Sequence, residues 1–174
     1  MKPLRTRDIA RIGLLGAAAV VLFIFESLAP RPLPWMKLGL GNLPVVLGMS
    51  IYGPSAALAI SLLKLFLGGL LSGAWASPSF FIASGAGLCS WLLMAIVWNW
   101  GRPYFSDIGL SLWGALAHQL SQLALAYVYI GQVALFSLLP LALLGALLSG
   151  ILIGLLAHWL RLRWPGEPLF KKVV

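Results

Sequence analysis

The sequence predicts an all-α integral membrane protein, built as a bundle of six transmembrane helices. Three observations point to this class: 61% of the 174 residues are hydrophobic, only 9% are charged, and the apolar residues fall into long runs. Soluble domains carry roughly 25% charged residues, because their whole surface faces water. Too few charges are present here to cover a water-soluble globule of this size. The chain is therefore expected to lie in a lipid bilayer as one membrane domain over residues 1–174.

Six apolar runs account for the predicted helices, since a helix needs about 20 residues to cross the hydrocarbon core. Proline and glycine mark their limits: a cluster of three prolines follows the first run, and Gly53-Pro54 separates the second from the third. The last run contains Pro140, so it is either one long kinked helix or a short lead-in followed by the sixth helix. The predicted helices are 12–29, 40–52, 55–71, 80–98, 108–130 and 133–160.

Basic residues predict that both termini lie in the cytoplasm. Four of them precede the first run, four lie in the basic tail 161–174, and Arg102 lies on the same side, whereas only Arg31 and Lys37 fall on the side expected to face outward. The net charge of +8 thus reflects topology and contacts with anionic lipid, and nucleic-acid binding is not expected. We expect a multi-pass protein of a bacterial-type inner membrane. The alternative is a signal peptide cleaved after Ser27-Leu28-Ala29, which would leave five spans.

Small residues recur at a spacing of four in the last run. Ala142, Ala146, Gly150 and Gly154 form one line along the helix. Such a line lets helix backbones approach closely in lipid, so it is expected to pack inside the bundle, with a dimer seam as the alternative.

The sequence lacks the motifs on which catalysis by this chain would depend. It has four acidic residues, and no two of them are neighbours, which excludes the Asp-rich pairs that hold magnesium against a diphosphate. It also lacks a P-loop, a Ser or Cys nucleophile motif and a His/Cys/carboxylate metal cluster. We therefore expect no enzyme activity of its own, no metal site and no covalently bound cofactor.

Polar side chains inside the predicted helices are functional candidates, because hydrocarbon tolerates them only where they face a cavity or a partner. Lys64 lies about 15 Å along helix three from its cytoplasmic end, and His118 and Gln122 lie about 13 and 20 Å along helix five. Glu26, Asn42 and Ser84 lie in the outer part of the bundle under the predicted topology. The predicted substrate-binding residues are Glu26, Lys37, Asn42, Lys64, Ser84, His118 and Gln122.

Helix five carries the clearest polar stripe. Ser111, Gly114, His118 and Gln122 follow the i, i+3/i+4 spacing of a single helix face. Gln119 lies about 100° round the helix from His118 and is expected to point elsewhere. This stripe predicts one wall of an outward-opening cavity that holds a small molecule.

Structural interpretations compete with this one. Lys64 either pairs with Glu26, contacts an anionic group of a ligand, or extends toward the interface. His118 and Gln122 either face a ligand or hydrogen-bond helices together. Lys37 is either a surface charge or part of the rim of a site. If these polar residues only hold helices together, the protein is a scaffold without a ligand site.

Several sequence blocks occur in a recognisable order: 25–28, 37–42, 84–90, 105–111, and a stretch from Gly114 to Gln122 that contains His118. Together they resemble the membrane family labelled heptaprenyl diphosphate synthase component I, also called the Gx transporter family. The resemblance covers roughly residues 25–154, which is most of the chain.

The resemblance implies a six-helix fold similar to the substrate-binding S component of energy-coupling-factor (ECF) transporters. Such a subunit binds a small molecule and works with an energy-coupling transmembrane subunit and ATPases. The alternative is a non-catalytic membrane subunit linked to isoprenoid-quinone synthesis as the partner of a prenyl diphosphate synthase. A link to a flavin-carrying, quinone-dependent electron-transfer system is also implied, and quinone or flavin would then be the cofactor.

Overall fold

The computed structural model describes residues 5–28, 39–101 and 105–164, and every regular element in these ranges is a helix. Two of the α-helices are preceded by 3₁₀ segments, Leu40–Asn42 and Val133–Leu138. The α-helices are α1 (Thr6–Leu28), α2 (Leu43–Tyr52), α3 (Pro54–Leu71), α4 (Pro78–Gly101), α5 (Asp107–Ile130) and α6 (Leu139–Leu162). The predicted all-α class is confirmed.

Four stretches of the described chain are long and apolar enough to cross a membrane. They are Thr6–Leu28, Pro54–Leu71, Pro78–Trp100 and Val133–Leu162. The α2 helix has 10 residues, which rise only about 15 Å. The α5 helix has 24 residues, but it is not one of these four stretches. The molecule is thus an all-helical protein of membrane type, and six crossings remain a prediction.

Glycine and proline set the helix boundaries as local chemistry predicts. Gly53 adopts a φ of 91°, a conformation that favours glycine, and so ends α2. Pro54 begins α3, where its missing N–H is not needed by the helix. Pro140 lies in the first turn of α6, so the last apolar run is a 3₁₀ lead-in followed by a helix. The α1 helix begins at Thr6, earlier than the predicted start at residue 12.

The short α2 helix lies at the centre of the bundle. Its residues 44–52 are all buried, and α1, α3, α5 and α6 surround it. Because α2 with its 3₁₀ lead-in is shorter than its neighbours, its amino end lies inside the bundle. Space for polar groups is therefore left at that end.

Neighbouring helices pack through glycines. A Cβ atom at Gly154 would lie 2.5 Å from the Cα of Ile108, and one at Gly150 would lie 2.9 Å from the Cα of Leu112. These contacts also show that α5 and α6 run antiparallel, since the higher number on one helix meets the lower number on the other. The small-residue line of α6 thus packs inside the bundle, as predicted.

The α1 helix is part of the bundle. Leu15 and Ala19 belong to the hydrophobic core, and α1 packs against α2 and α3. Cleavage after Ala29 would remove this packing and expose the core.

The outer surface of the bundle is apolar. Leu14, Leu71 and Leu148 are each about two-thirds exposed, and Cys89 lies exposed on the same kind of surface. Water disfavours so much exposed apolar area, whereas lipid accommodates it.

Candidate functional site

A polar cavity of about 80 Å³ lies inside the bundle, beside the amino end of the 3₁₀ segment that leads into α2. Every α-helix except α2 itself contributes to its lining, and the 3₁₀ segment contributes in the place of α2. Lys64 and Ser149 each lie ten residues from the start of their own helix. The cavity therefore lies about 15 Å along α3 and α6 from the ends where these helices begin. Its polar lining residues are Glu26, Asn42, Lys64, His118, Gln119, Gln122 and Ser149.

Lys64 is the buried cation of this cavity. Its side chain is only 6% exposed, and its Nζ donates a hydrogen bond to Oδ1 of Asn42 over 2.5 Å. Gly41 lies against the Lys64 stem, since a Cβ atom there would be 3.4 Å from Lys64 Cδ. A neutral acceptor and a close glycine thus hold the ammonium group at the amino end of the central helix.

Glu26 binds the backbone that leads into the same 3₁₀ segment. Its Oε1 accepts a hydrogen bond from the backbone N–H of Gly39, and Glu26 is 8% exposed. Gly39 has a φ of 77°, in the left-handed region that favours glycine. The Glu26 carboxylate therefore positions the turn that presents Asn42 to Lys64.

The α5 helix supplies a broader polar wall than its sequence predicts. His118 and Gln122 line the cavity as expected. Gln119 lines it too, although helical geometry had placed it off the predicted face. The residues of α5 that line the cavity cover an arc of about 100° around the helix. On the facing helix α6, Gly145 has no side chain and leaves room for the Gln119 amide: a Cβ atom at Gly145 would lie 3.6 Å from Gln119 Nε2.

Of the predicted site residues that the structure describes, one does not line the cavity. Ser84 is absent from its lining, although its neighbour Ala83 is present. The Ser84 hydroxyl is buried and has no hydrogen-bond partner among the residues that the structure describes. Lys37 lies outside the described residues. The sequence signal for Ser84 was its depth alone, which does not specify the direction of a side chain.

The polar stripe of α5 continues below the cavity. Ser111 and Gly114 line a smaller space of about 30 Å³ that shares Asn42 and Ser149 with the main cavity. Ser90 closes it by donating a hydrogen bond of 2.7 Å to the carbonyl of Gly114. The predicted stripe therefore faces the interior along its length.

A separate charged cluster lies at the opposite end of the bundle. Asp107 Oδ2 is 3.0 Å from Arg161 Nη2 and 3.0 Å from His158 Nδ1. Asp107 is 4% exposed, so α5 and α6 share a mostly buried ion pair. The sequence alone did not predict this contact between the two helices.

The geometry of the cavity suits a small charged group. Protein sites for organic ligands usually measure about 300–1,000 Å³, whereas about 80 Å³ is present here. A cation, three amides, an imidazole, a hydroxyl and a carboxylate line this small volume. Within the described ranges, no three His, Cys, Asp or Glu side chains are grouped so that they would hold a metal ion.

The fold and the cavity define an all-helical protein of membrane type with a buried polar site. Residues 15–160 match the family model described as heptaprenyl diphosphate synthase component I, and the chain belongs to this family. The family name is that of a component of a prenyl diphosphate synthase. No curated protein and no solved structure shows significant similarity to the chain.

Proposed function

We propose that the protein is a substrate-binding membrane subunit of the S-component type, and that Lys64 binds an anionic group of a small molecule. The observation that carries the proposal is the position of Lys64: it is buried in a polar cavity and hydrogen-bonded to the neutral amide of Asn42. A buried charge is costly unless a function or a partner stabilises it. An anionic ligand bound in the cavity would contact the Lys64 ammonium group directly.

The amino end of the central helix strengthens this preference for an anion. Gly39, Gly41 and Asn42 belong to the turn that begins the 3₁₀ segment and α2, and all three line the cavity. Helix amino ends carry partial positive charge and bind phosphate or carboxylate groups. Lys64 and the helix end therefore attract the same kind of group from two sides.

The proposal includes a topology with six crossings and both termini in the cytoplasm. The ends of α1 and α5 and the start of α4 then lie outside, so the cavity opens toward that side. To test this, single cysteines are placed at Gln132 and Phe105 in a Cys89→Ala background and treated with a membrane-impermeant maleimide. Intact cells are expected to label Gln132→Cys only. Labelling of Phe105→Cys before permeabilisation would contradict the topology.

The decisive experiment measures ligand retention in three proteins: the wild type, Lys64→Met and Lys64→Arg. Gently purified protein in lipid nanodiscs is examined by native mass spectrometry, and methyl phosphate is titrated as a defined anionic probe. Loss of a buried charge partner costs about 2 kcal/mol or more, which is roughly a 30-fold rise in Kd. We expect that loss in Lys64→Met and measurable binding in Lys64→Arg. Equal retention and equal Kd in all three proteins would contradict the assigned role.

The same experiment separates binding from a scaffold role. A scaffold predicts that Lys64→Met lowers the thermal stability and leaves methyl phosphate binding as it was. In the S-component setting, an energy-coupling transmembrane subunit and ATPases are the expected partners, and affinity purification from the native membrane tests for them.

A second candidate function follows from the family match: a non-catalytic membrane subunit that assists a prenyl diphosphate synthase. The apolar surface beside the cavity favours it, because a prenyl chain needs such a surface. Co-purification of a catalytic prenyl synthase, together with loss of the polyprenyl product on deletion, would support this function over transport. A quinone- or flavin-linked role stays a prediction, tested by the absorbance spectrum of the purified protein.

A further inference from the structure

A second concavity opens on the surface of the bundle between α4 and α5. It measures about 450 Å³, and it lies where α4 begins and α5 ends. Its walls are mostly apolar, and Phe81, Val128 and Tyr129 are each more than 60% exposed. We call it the α4–α5 groove; it is lined by Pro78, Phe81, Ile82, Leu125, Val128 and Tyr129.

The groove and the polar cavity are neighbours on both helices. On α4, Ile82 lines the groove and the next residue, Ala83, lines the cavity. On α5, Leu125 lines the groove, and Gln122, about one turn earlier, lines the cavity. A cavity with several polar side chains and a mostly apolar groove therefore adjoin within the membrane half that contains Lys64.

Leu125 of α5 packs directly on Gly85 of α4 at this level. A Cβ atom at Gly85 would lie only 2.7 Å from Leu125 Cδ1. Leucine side chains exchange between staggered rotamers. A turn of Leu125 away from Gly85 would widen the space between α4 and α5 at this level.

We propose that the ligand is a single-chain anionic amphiphile that enters sideways from the membrane, with its head group at Lys64 and its hydrocarbon chain in the α4–α5 groove. This rests on the proposed anion-binding role of Lys64. The cavity holds a head group but has no room for the body of an organic ligand, so the remainder must lie in an adjoining space. The groove adjoins, is apolar and is several times larger.

An ordinary membrane lipid is the competing occupant of the groove. It differs from the proposed anionic amphiphile in one physical respect. A lipid chain fills the groove whatever the charge at Lys64, because apolar surfaces in lipid are always covered. An amphiphile anchored by its head group occupies the groove only while Lys64 holds that head group. Dependence of groove occupancy on Lys64 therefore distinguishes them.

The test uses dodecyl phosphate that carries a photoreactive diazirine at the end of its chain. The full-length protein in nanodiscs is illuminated with this probe, and cross-linked residues are mapped by mass spectrometry. We expect cross-links concentrated on the groove, competed by unlabelled dodecyl phosphate, and reduced at least about tenfold in Lys64→Met. Cross-links spread over the outer surface, or unaffected by Lys64→Met, would overturn the proposal.

Two tryptophan variants provide a matched pair. Val128→Trp fills the groove from an exposed position, and Leu148→Trp places the same ring on the exposed outer face of α6. Only Val128→Trp is expected to abolish the groove cross-links, while both variants bind methyl phosphate as the wild type does. Equal cross-linking in the two variants overturns sideways entry.

Failure of this inference is distinguishable from failure of the proposed function. If methyl phosphate binding does not depend on Lys64, the anion-binding role itself is wrong. If methyl phosphate binding depends on Lys64 but groove cross-linking does not, the anion site stands and only the sideways path is wrong.

Discussion

Arg161 Nη2 lies 3.0 Å from Asp107 Oδ2 and joins the carboxyl end of α6 to the amino end of α5. Each partner also lies at the helix end whose partial charge it complements. His158 reaches the same carboxylate oxygen, one turn before Arg161 on α6. The ion pair therefore fastens α5 and α6 at the end of the bundle away from the polar cavity.

Replacement of Asp107 by alanine is expected to lower the free energy of unfolding by about 2–3 kcal/mol, because it leaves a mostly buried guanidinium without its carboxylate. Asp8→Ala is the matched control, since Asp8 is also an acid in the first turn of a helix but is only partly buried and accepts a hydrogen bond from the backbone N–H of Arg5. We expect the control to cost less than about 1 kcal/mol. Unfolding in mixed micelles measures both values, and equal losses would show that the ion pair adds nothing.

Gly154→Ala is expected to destabilise the protein by about 1–3 kcal/mol, since its Cβ would lie 2.5 Å from the Ile108 backbone and force α6 away from α5. At Gly13 on α1, a Cβ atom would meet nothing within 4 Å. Gly13→Ala should therefore be neutral or stabilise by up to about 1 kcal/mol. The midpoint of thermal unfolding of the two variants checks this contrast. A loss in both would point to a general effect of losing glycine.

Substitution of Gly39 can distinguish an effect on ligand binding from the effect of backbone strain. Gly39 and Gly73 both have positive φ values, 77° and 68°, so alanine strains each by about 1 kcal/mol. Only Gly39 lines the cavity and donates to Glu26. We expect equal losses of stability, and weaker methyl phosphate binding in Gly39→Ala alone. Equal methyl phosphate binding in the two variants would show that the turn at Gly39 is not part of the site.

Two serines of α4 are expected to respond to alanine in opposite directions. The buried Ser84 hydroxyl lacks a partner in the described part of the chain, so Ser84→Ala should raise the free energy of unfolding by about 1 kcal/mol. Ser90 donates to the Gly114 carbonyl, and Ser90→Ala should lower it by about 1 kcal/mol. Chemical denaturation compares them. A loss of methyl phosphate binding in Ser84→Ala would instead restore Ser84 to the site.

Much of the site was predictable from positions along the chain. The rise of 1.5 Å per residue places Lys64, His118 and Gln122 at similar depths, and all three line one cavity. The direction of each side chain was less predictable. Gln119 faces inward because the cavity covers a wide arc of α5, whereas Ser84 lies at a suitable depth but outside the lining.

The amino-acid sequence by itself determined the helical membrane class, most of the helix limits and the positions of the polar groups along the helices. These follow from composition, from proline and glycine, and from helix geometry, all of which are local. Only the tertiary structure decided that α2 is central, that Asn42 accepts from Lys64, and that Asp107 pairs with Arg161. Such partners are distant along the chain, and packing of glycine against backbone selects which helix faces meet.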